Sequence, residues 1–343
     1  MEPATYSDLS HDFLFAKLHG MWAKAVAGSR LDALLTTTGS GALRRLLVEL
    51  GIDITERAGV QKGLTLRFIR DLGSVMTLLD EKTGEFYRRL IDRFFLENLK
   101  TILHYRLFPN QDVEIGYLLI DSPFLPEMDP AALIAARSVH RFYAQLPEHE
   151  FKRELLPILV EVDDTHDMFV AEAKIDRLYY DGILNQARRL PRRVRSVAVE
   201  LLGTEIDILN LVTVLRNVEL YRLPFETLRE LYLPGGRHLD SPDRFESLDT
   251  REDVIAALPA PYRKALQRFR AEELYVLENA LWNSLHAVAS QNFKNYDRPA
   301  RSVVTFPFLK RFEALNIGRV FEGLHFGLTP TTVRSMLIGE QHA

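Results

Sequence analysis

The chain of 343 residues contains no cysteine. That excludes disulfides, thiolate nucleophiles, thiolate zinc sites and iron–sulfur clusters together. An excess of either charge is also missing, because 43 lysines and arginines stand against 47 acids, for a net charge of −4. With an isoelectric point near 6.2, the chain lacks the positive field of a dedicated nucleic-acid binder. Met1–Ser10 carries two acids and no basic residue, unlike a secretory leader. The densest apolar patches, such as Leu155–Val160, fall far short of the ~18 residues that a membrane helix needs. A bilayer span is therefore excluded, while work at a bilayer surface is not.

Familiar catalytic signatures are absent too. The ten histidines include no pair four residues apart, so no helix face offers two zinc ligands. Thr36–Gly41 contains glycines but no following Lys-Ser/Thr, which makes it a loop and not a phosphate cradle. No Gly-x-Ser-x-Gly elbow occurs.

What is present is helical spacing. Leu9, Phe13, Leu14, Leu18, Met21 and Trp22 trace one face, and the same rhythm returns in 84–106, 148–189, 191–221, 261–291 and 305–326. Helix punctuation agrees with it. Asp129-Pro130 reads as an N-cap before a first-turn proline. Thr250 with Asp253 reads as a capping-box variant, and so does Thr204 with Asp207 after a helix-ending Gly203. Thr329-Pro330 opens a last short helix. Only Val113–Ile120 alternates like a strand, and it is short. Loops are expected at Pro109–Asp112, Pro123–Pro130, Pro234–Pro242 and Leu258–Pro261. The chain reads as all-α, with no linker between independent modules.

A repeat divides the chain into thirds. Asn98-Leu99-Lys100-Thr101-Ile102-Leu103, Asn210-Leu211-Val212-Thr213-Val214-Leu215 and Asn316-Ile317-Gly318-Arg319-Val320-Phe321 share one pattern, their asparagines 112 and 106 residues apart. The last two copies stay in phase upstream. Glu172 and Glu278 each precede the asparagine by 38 residues, and Arg192, Arg195, Ser196 and Val197 meet Arg298, Arg301, Ser302 and Val303. Asp207 meets Glu313, and Leu209 meets Leu315. These spacings predict three pseudo-symmetric lobes, 1–118, 119–236 and 237–343, around a central depression where corresponding helix ends converge. The helix 204–221 is apolar nearly all round, so Asp207, Asn210 and Asn217, on one narrow stripe, must find partners within the fold or on another subunit.

Two further clusters invite a function. Asp163-Asp164-Thr165-His166-Asp167 fits the Asp-Asp-x-x-Asp pattern with which all-α isoprenoid synthases hold magnesium. In that alternative Asp163, Asp164 and Asp167 would be the ligands, but Asn217 stands where the partner motif wants Glu. Arg188, Arg189, Arg192, Arg193 and Arg195 crowd one segment around Pro191, a basic patch suited to acidic lipid headgroups or a partner's carboxylates.

The segments Glu172–Tyr180, Thr204–Arg216, Phe94–Leu103 and Pro259–Tyr262 resemble the d subunit family of the V-type ATPase, whose archaeal and bacterial members are the C subunit of the A/V-type ATP synthase. The resemblance runs from about Tyr6 to Leu337, and is carried by Glu172-x-x-Ile175-Asp176-x-x-Tyr179 followed by Glu205-x-Asp207-x-x-Asn210-Leu211. It implies a funnel of three helical lobes on the cytoplasmic face of a membrane. Such a protein seats on the membrane rotor ring, receives central shaft subunits D and F, and couples ATP hydrolysis or synthesis to proton or sodium transport. It implies no catalytic residue, metal, cofactor, small-molecule substrate or nucleic acid. Under this resemblance Asn98, Glu205, Asp207, Asn210, Arg216, Glu313, Asn316 and Arg319 are the candidate contacts for the shaft or between lobes.

Overall fold

A computed structural model describes residues 6–36, 41–108, 114–269 and 272–339. The chain begins with α1 (Tyr6–Trp22), α2 (Ser29–Thr36), α3 (Gly41–Glu49), α4 (Arg57–Met76) and α5 (Glu81–Leu107). Short helices α6 (Ile115–Leu118), α7 (Pro130–Ile134) and α8 (Val139–Gln145) lead to α9 (Lys152–Thr165), α10 (Met168–Arg189) and α11 (Arg192–Arg216), the last running into a π-helical turn over Asn217–Tyr221. After α12 (Phe225–Leu231) come α13 (Arg251–Ala257), α14 (Ala260–Gln267), α15 (Leu274–Phe293), α16 (Arg301–His325) and α17 (Pro330–Met336). No strand occurs among the described residues, and the protein is all-α.

The punctuation largely acts as its chemistry dictates. Asp129 accepts from the Ala132 N–H, Thr250 from Asp253 and Thr329 from Thr332, each three residues on. Thr204 does not cap, because α11 runs through it without a break. Gly203 is no helix end either. It lets a loop approach, with the Arg237 N–H donating to the Gly203 carbonyl at 3.2 Å. A Cβ there would meet Arg237 at 3.2 Å. The stretch read as a possible strand holds the single turn α6. Phe13, expected on the buried face of α1, is 59% exposed, while Leu14 and Leu18 are buried. The Thr36–Gly41 loop and the Pro109–Asp112 loop lie mostly outside the described residues.

Three pairs of consecutive helices pack on themselves: α4 with α5, α10 with α11, and α15 with α16. The second helix of each pair also packs on the first of another, α5 on α10, α11 on α15 and α16 on α4. The chain thereby closes head to tail. The main apolar core extends from Leu14 to Ile338. A smaller one joins Val26–Leu64 to Ile317–Leu337. Polar contacts reinforce the closure, with Arg334 on Asp32 at 2.8 Å and the Val26 N–H on Glu313 at 2.9 Å.

Candidate functional site

The three asparagines perform one task. Asn98 accepts from the Ile120 N–H (2.8 Å) and donates to its carbonyl (2.7 Å). Asn210 grips Leu233 in the same way, 2.8 Å in both directions, and Asn316 grips Ile338 at 2.9 and 2.8 Å. Each gripped residue lies two positions beyond a short helix, α6, α12 or α17. All three asparagines are buried, and these bonds fix the path of the chain. A fourth clamp, Asn217 on Leu223, holds the chain after the π-helical turn.

Charged residues five positions before those asparagines are brought together where α5, α11 and α16 meet. They are Arg93, Glu205 and Arg311. Glu205 is 2% exposed. Arg311 grips it with two parallel bonds of 2.7 and 2.8 Å, Tyr180 donates its hydroxyl at 2.8 Å, and Arg93 stands 3.6 Å away. Burial pushes the Glu205 carboxyl up, but Arg311 and Arg93 outweigh it and hold the group below the ordinary carboxylate range. Arg311 is flanked by the rings of Trp282, Phe308 and Phe312, which shield the pair from water and strengthen it.

This cluster lines a depression of about 720 Å³. Glu97, Leu209 and Leu315, each one residue before its asparagine, line it as well. Positions five and one before the asparagine are four apart, hence on one helix face. Around them lie Phe68, Phe94, Trp282, Phe326 and Leu328. Leu315 is 44% and Phe326 60% exposed, an apolar surface open to a partner. Arg319 also lines the depression, held by Asn279 at 3.0 Å and by the Met336 carbonyl.

The other candidates have separate duties. Buried Asp207 accepts from the Tyr262 hydroxyl (2.7 Å) and from the N–H groups of His238 (2.9 Å) and Leu239 (3.1 Å), anchoring the loop after α12. Burial raises its pKa despite these bonds. Glu313, its counterpart in the repeat, binds Arg67 at 3.1 Å, Lys310 and the Val26 N–H. Burial raises it, but Lys310 and Arg67 bring it below the ordinary value. Arg216 forms a two-bond pair with Glu278, 2.8 and 3.0 Å, on the surface between α11 and α15. Sequence reasoning missed Arg93 and Arg311. Their signal was opposite charge at a shared offset, which a search for identities passes over.

The family model of the ATP synthase (C/AC39) subunit matches residues 15–336. The chain belongs to this family. Among relatives within the C/AC39 family is the A-type ATP synthase C subunit of Thermococcus gammatolerans, 23% identical over 347 residues, covering 96% of this chain and 89% of that one. The same subunit of Thermococcus kodakarensis is 21% identical over 82% of this chain and 75% of its own. That of Methanosarcina barkeri is 21% identical over 72% and 68%. No described helix of this C/AC39 member is long and apolar enough to cross a membrane.

The isoprenoid alternative finds no support. The Asp-Asp-x-x-Asp run is broken by a left-handed His166 between α9 and α10. Asp163 pairs with Arg106 at 2.6 Å, while Asp167 caps α10 through the Val170 N–H at 3.1 Å. Among the described residues no three acids or histidines are placed to hold a metal ion.

Proposed function

We propose that the protein is the non-catalytic central-stalk rotor subunit of an A/V-type rotary ATPase. It links the membrane rotor ring to shaft subunits D and F, and so couples ATP hydrolysis or synthesis to proton or sodium transport. In this reading it sits peripherally on the cytoplasmic face, and its three lobes, 1–118, 119–236 and 237–343, surround a socket for the foot of the shaft. The observation that supports it best is the depression lined by matching positions of α5, α11 and α16. A rigid floor of buried ion pairs beneath an apolar rim resists slipping under torque and still offers the shaft area to bury.

Capture by co-expressed shaft and ring subunits tests this. The wild-type chain is expected to bind shaft subunits D and F and to hydrolyse no ATP alone. Leu315→Asp places an uncompensated carboxylate on the exposed rim and should reduce shaft capture at least tenfold with the helical circular dichroism unchanged. Val48→Asp, on the exposed face of α3, should leave capture intact. Equal capture by Leu315→Asp would remove the socket, and no association of the wild type with shaft or ring at low salt would remove the rotor assignment itself.

A further inference from the structure

The basic patch read from the sequence is split by the fold. Arg188 bonds Asn185 at 3.1 Å, and Arg195 bonds the Leu190 carbonyl at 2.9 Å. Arg192 and Arg193 instead line a cavity of about 590 Å³ together with Arg298 and Arg301, which come from the start of α16 and the turn before it. Ser196 adds a hydroxyl, and among the described residues of the wall Asp12 of α1 supplies the carboxylate. Among the described lining residues, four arginines less one aspartate leave three positive charges. None of the four arginines is ion-paired among the described residues. Arg301 spends one Nη on Asn292 at 2.8 Å, but its Nε is buried without a hydrogen-bond partner.

Arg93 and Arg311, which also come together, are neutralised by Glu205. Here no described carboxylate forms an ion pair with any of the four guanidinium groups, and Asp12 is the single described acid beside them. A planar guanidinium offers paired donors matched to a phosphate's oxygens. The long helices α11 and α16 both begin at this cavity, with Pro191 and Ala300 at their caps. At α16 the N–H groups of Arg301, Ser302 and Val303 already bond the carbonyls of Arg298, Pro299 and Ala300, so the partial positive charge of a helix start comes chiefly from α11. Arg192 and Arg298 are equivalent positions of the repeat, so the pocket is assembled from two copies of one helix start.

We propose that this pocket binds a phosphate group carrying two negative charges, a phosphomonoester or a diphosphate. The same chemistry is offered by a soluble diphosphate and by a phosphorylated lipid headgroup. The inference does not depend on the rotor reading.

The test uses the full chain at low salt with two probes. Inorganic pyrophosphate is titrated calorimetrically. Phosphatidylcholine vesicles with and without phosphatidic acid, or with phosphatidylserine as an anion lacking a phosphomonoester, are tested by co-sedimentation. Arg192→Gln combined with Arg298→Gln should weaken binding at least tenfold. Arg188→Gln combined with Arg189→Gln, outside the cavity on the same patch, should change it less than twofold. All four side chains are exposed, so folding should survive, as circular dichroism would verify. One-to-one pyrophosphate binding with that pattern supports the site and a soluble source. Binding to phosphatidic acid alone, with the same pattern, supports the site and a lipid source. Equal loss in the two variants, equal binding to phosphatidylserine, or no binding to either probe overturns it.

Discussion

An asparagine side chain carries one acceptor and two donors, so it can replace both hydrogen bonds that a strand neighbour would give a backbone. Asn98, Asn210 and Asn316 use it that way on Ile120, Leu233 and Ile338. Removing one leaves a buried N–H and a buried carbonyl unanswered at roughly 1–3 kcal/mol each. Asn210→Ala is therefore expected to lower unfolding free energy by about 2–4 kcal/mol, read as a shift in the urea midpoint at unchanged slope. Asn217→Ala, at a clamp whose second bond is 3.3 Å long, should cost less. The asparagines were legible in the sequence because a buried amide has few substitutes, and the repeat kept them in phase. Arg93 and Arg311 were not, since the charge at that position changes sign between copies.

At the scale of the element, the sequence disclosed where helices start more reliably than where they end. Asp129, Thr250 and Thr329 announced caps through chemistry confined to four residues. Gly203 misled because a helix-ending glycine and one that admits a neighbouring loop look alike until Arg237 is seen against it. The contact of α15 with the chain's last described turn was likewise invisible. There Gly339, at φ +80°, lies so close to the His286 ring that a Cβ would come within 2.3 Å of it. Burial, aided by Lys294, lowers the His286 pKa to about 4. Between its unfolded value near 6.5 and that value, the unfolded chain binds a proton the folded chain refuses. The stabilising contribution is therefore full above pH 6.5 and falls as pH drops toward 4, by up to about 3 kcal/mol. His286→Gln should flatten this part of the stability profile relative to wild type in thermal melts from pH 7 to pH 4.5. Parallel profiles would mean that the ring takes up a proton as readily in the fold as in the unfolded chain.

Across the whole molecule, the decisive contacts join residues that no local pattern connects. Asp32 meets Arg334, and Glu205 of α11 meets Arg311 of α16 and Arg93 of α5. Such pairings follow from how helix pairs stack around the chain's closure, which periodicity within a helix does not encode. Glu205 is too buried for water to replace a lost partner, so Arg311→Met should cost about 3–5 kcal/mol, well above the worth of a surface pair such as Arg216–Glu278. In Glu205→Gln the amide can still accept from Tyr180 while the charge is gone. Combining it with Arg311→Met should recover much of the single-variant loss, giving a coupling energy of about 2 kcal/mol or more in a double-mutant cycle. Because the main core is shared from α1 to the segment after α17, the loss should appear as one transition, with tryptophan fluorescence and far-ultraviolet dichroism moving together. Additive single effects, or two separated transitions, would show that the three helices are held by their apolar faces alone and that the charged cluster serves only the wall of the depression.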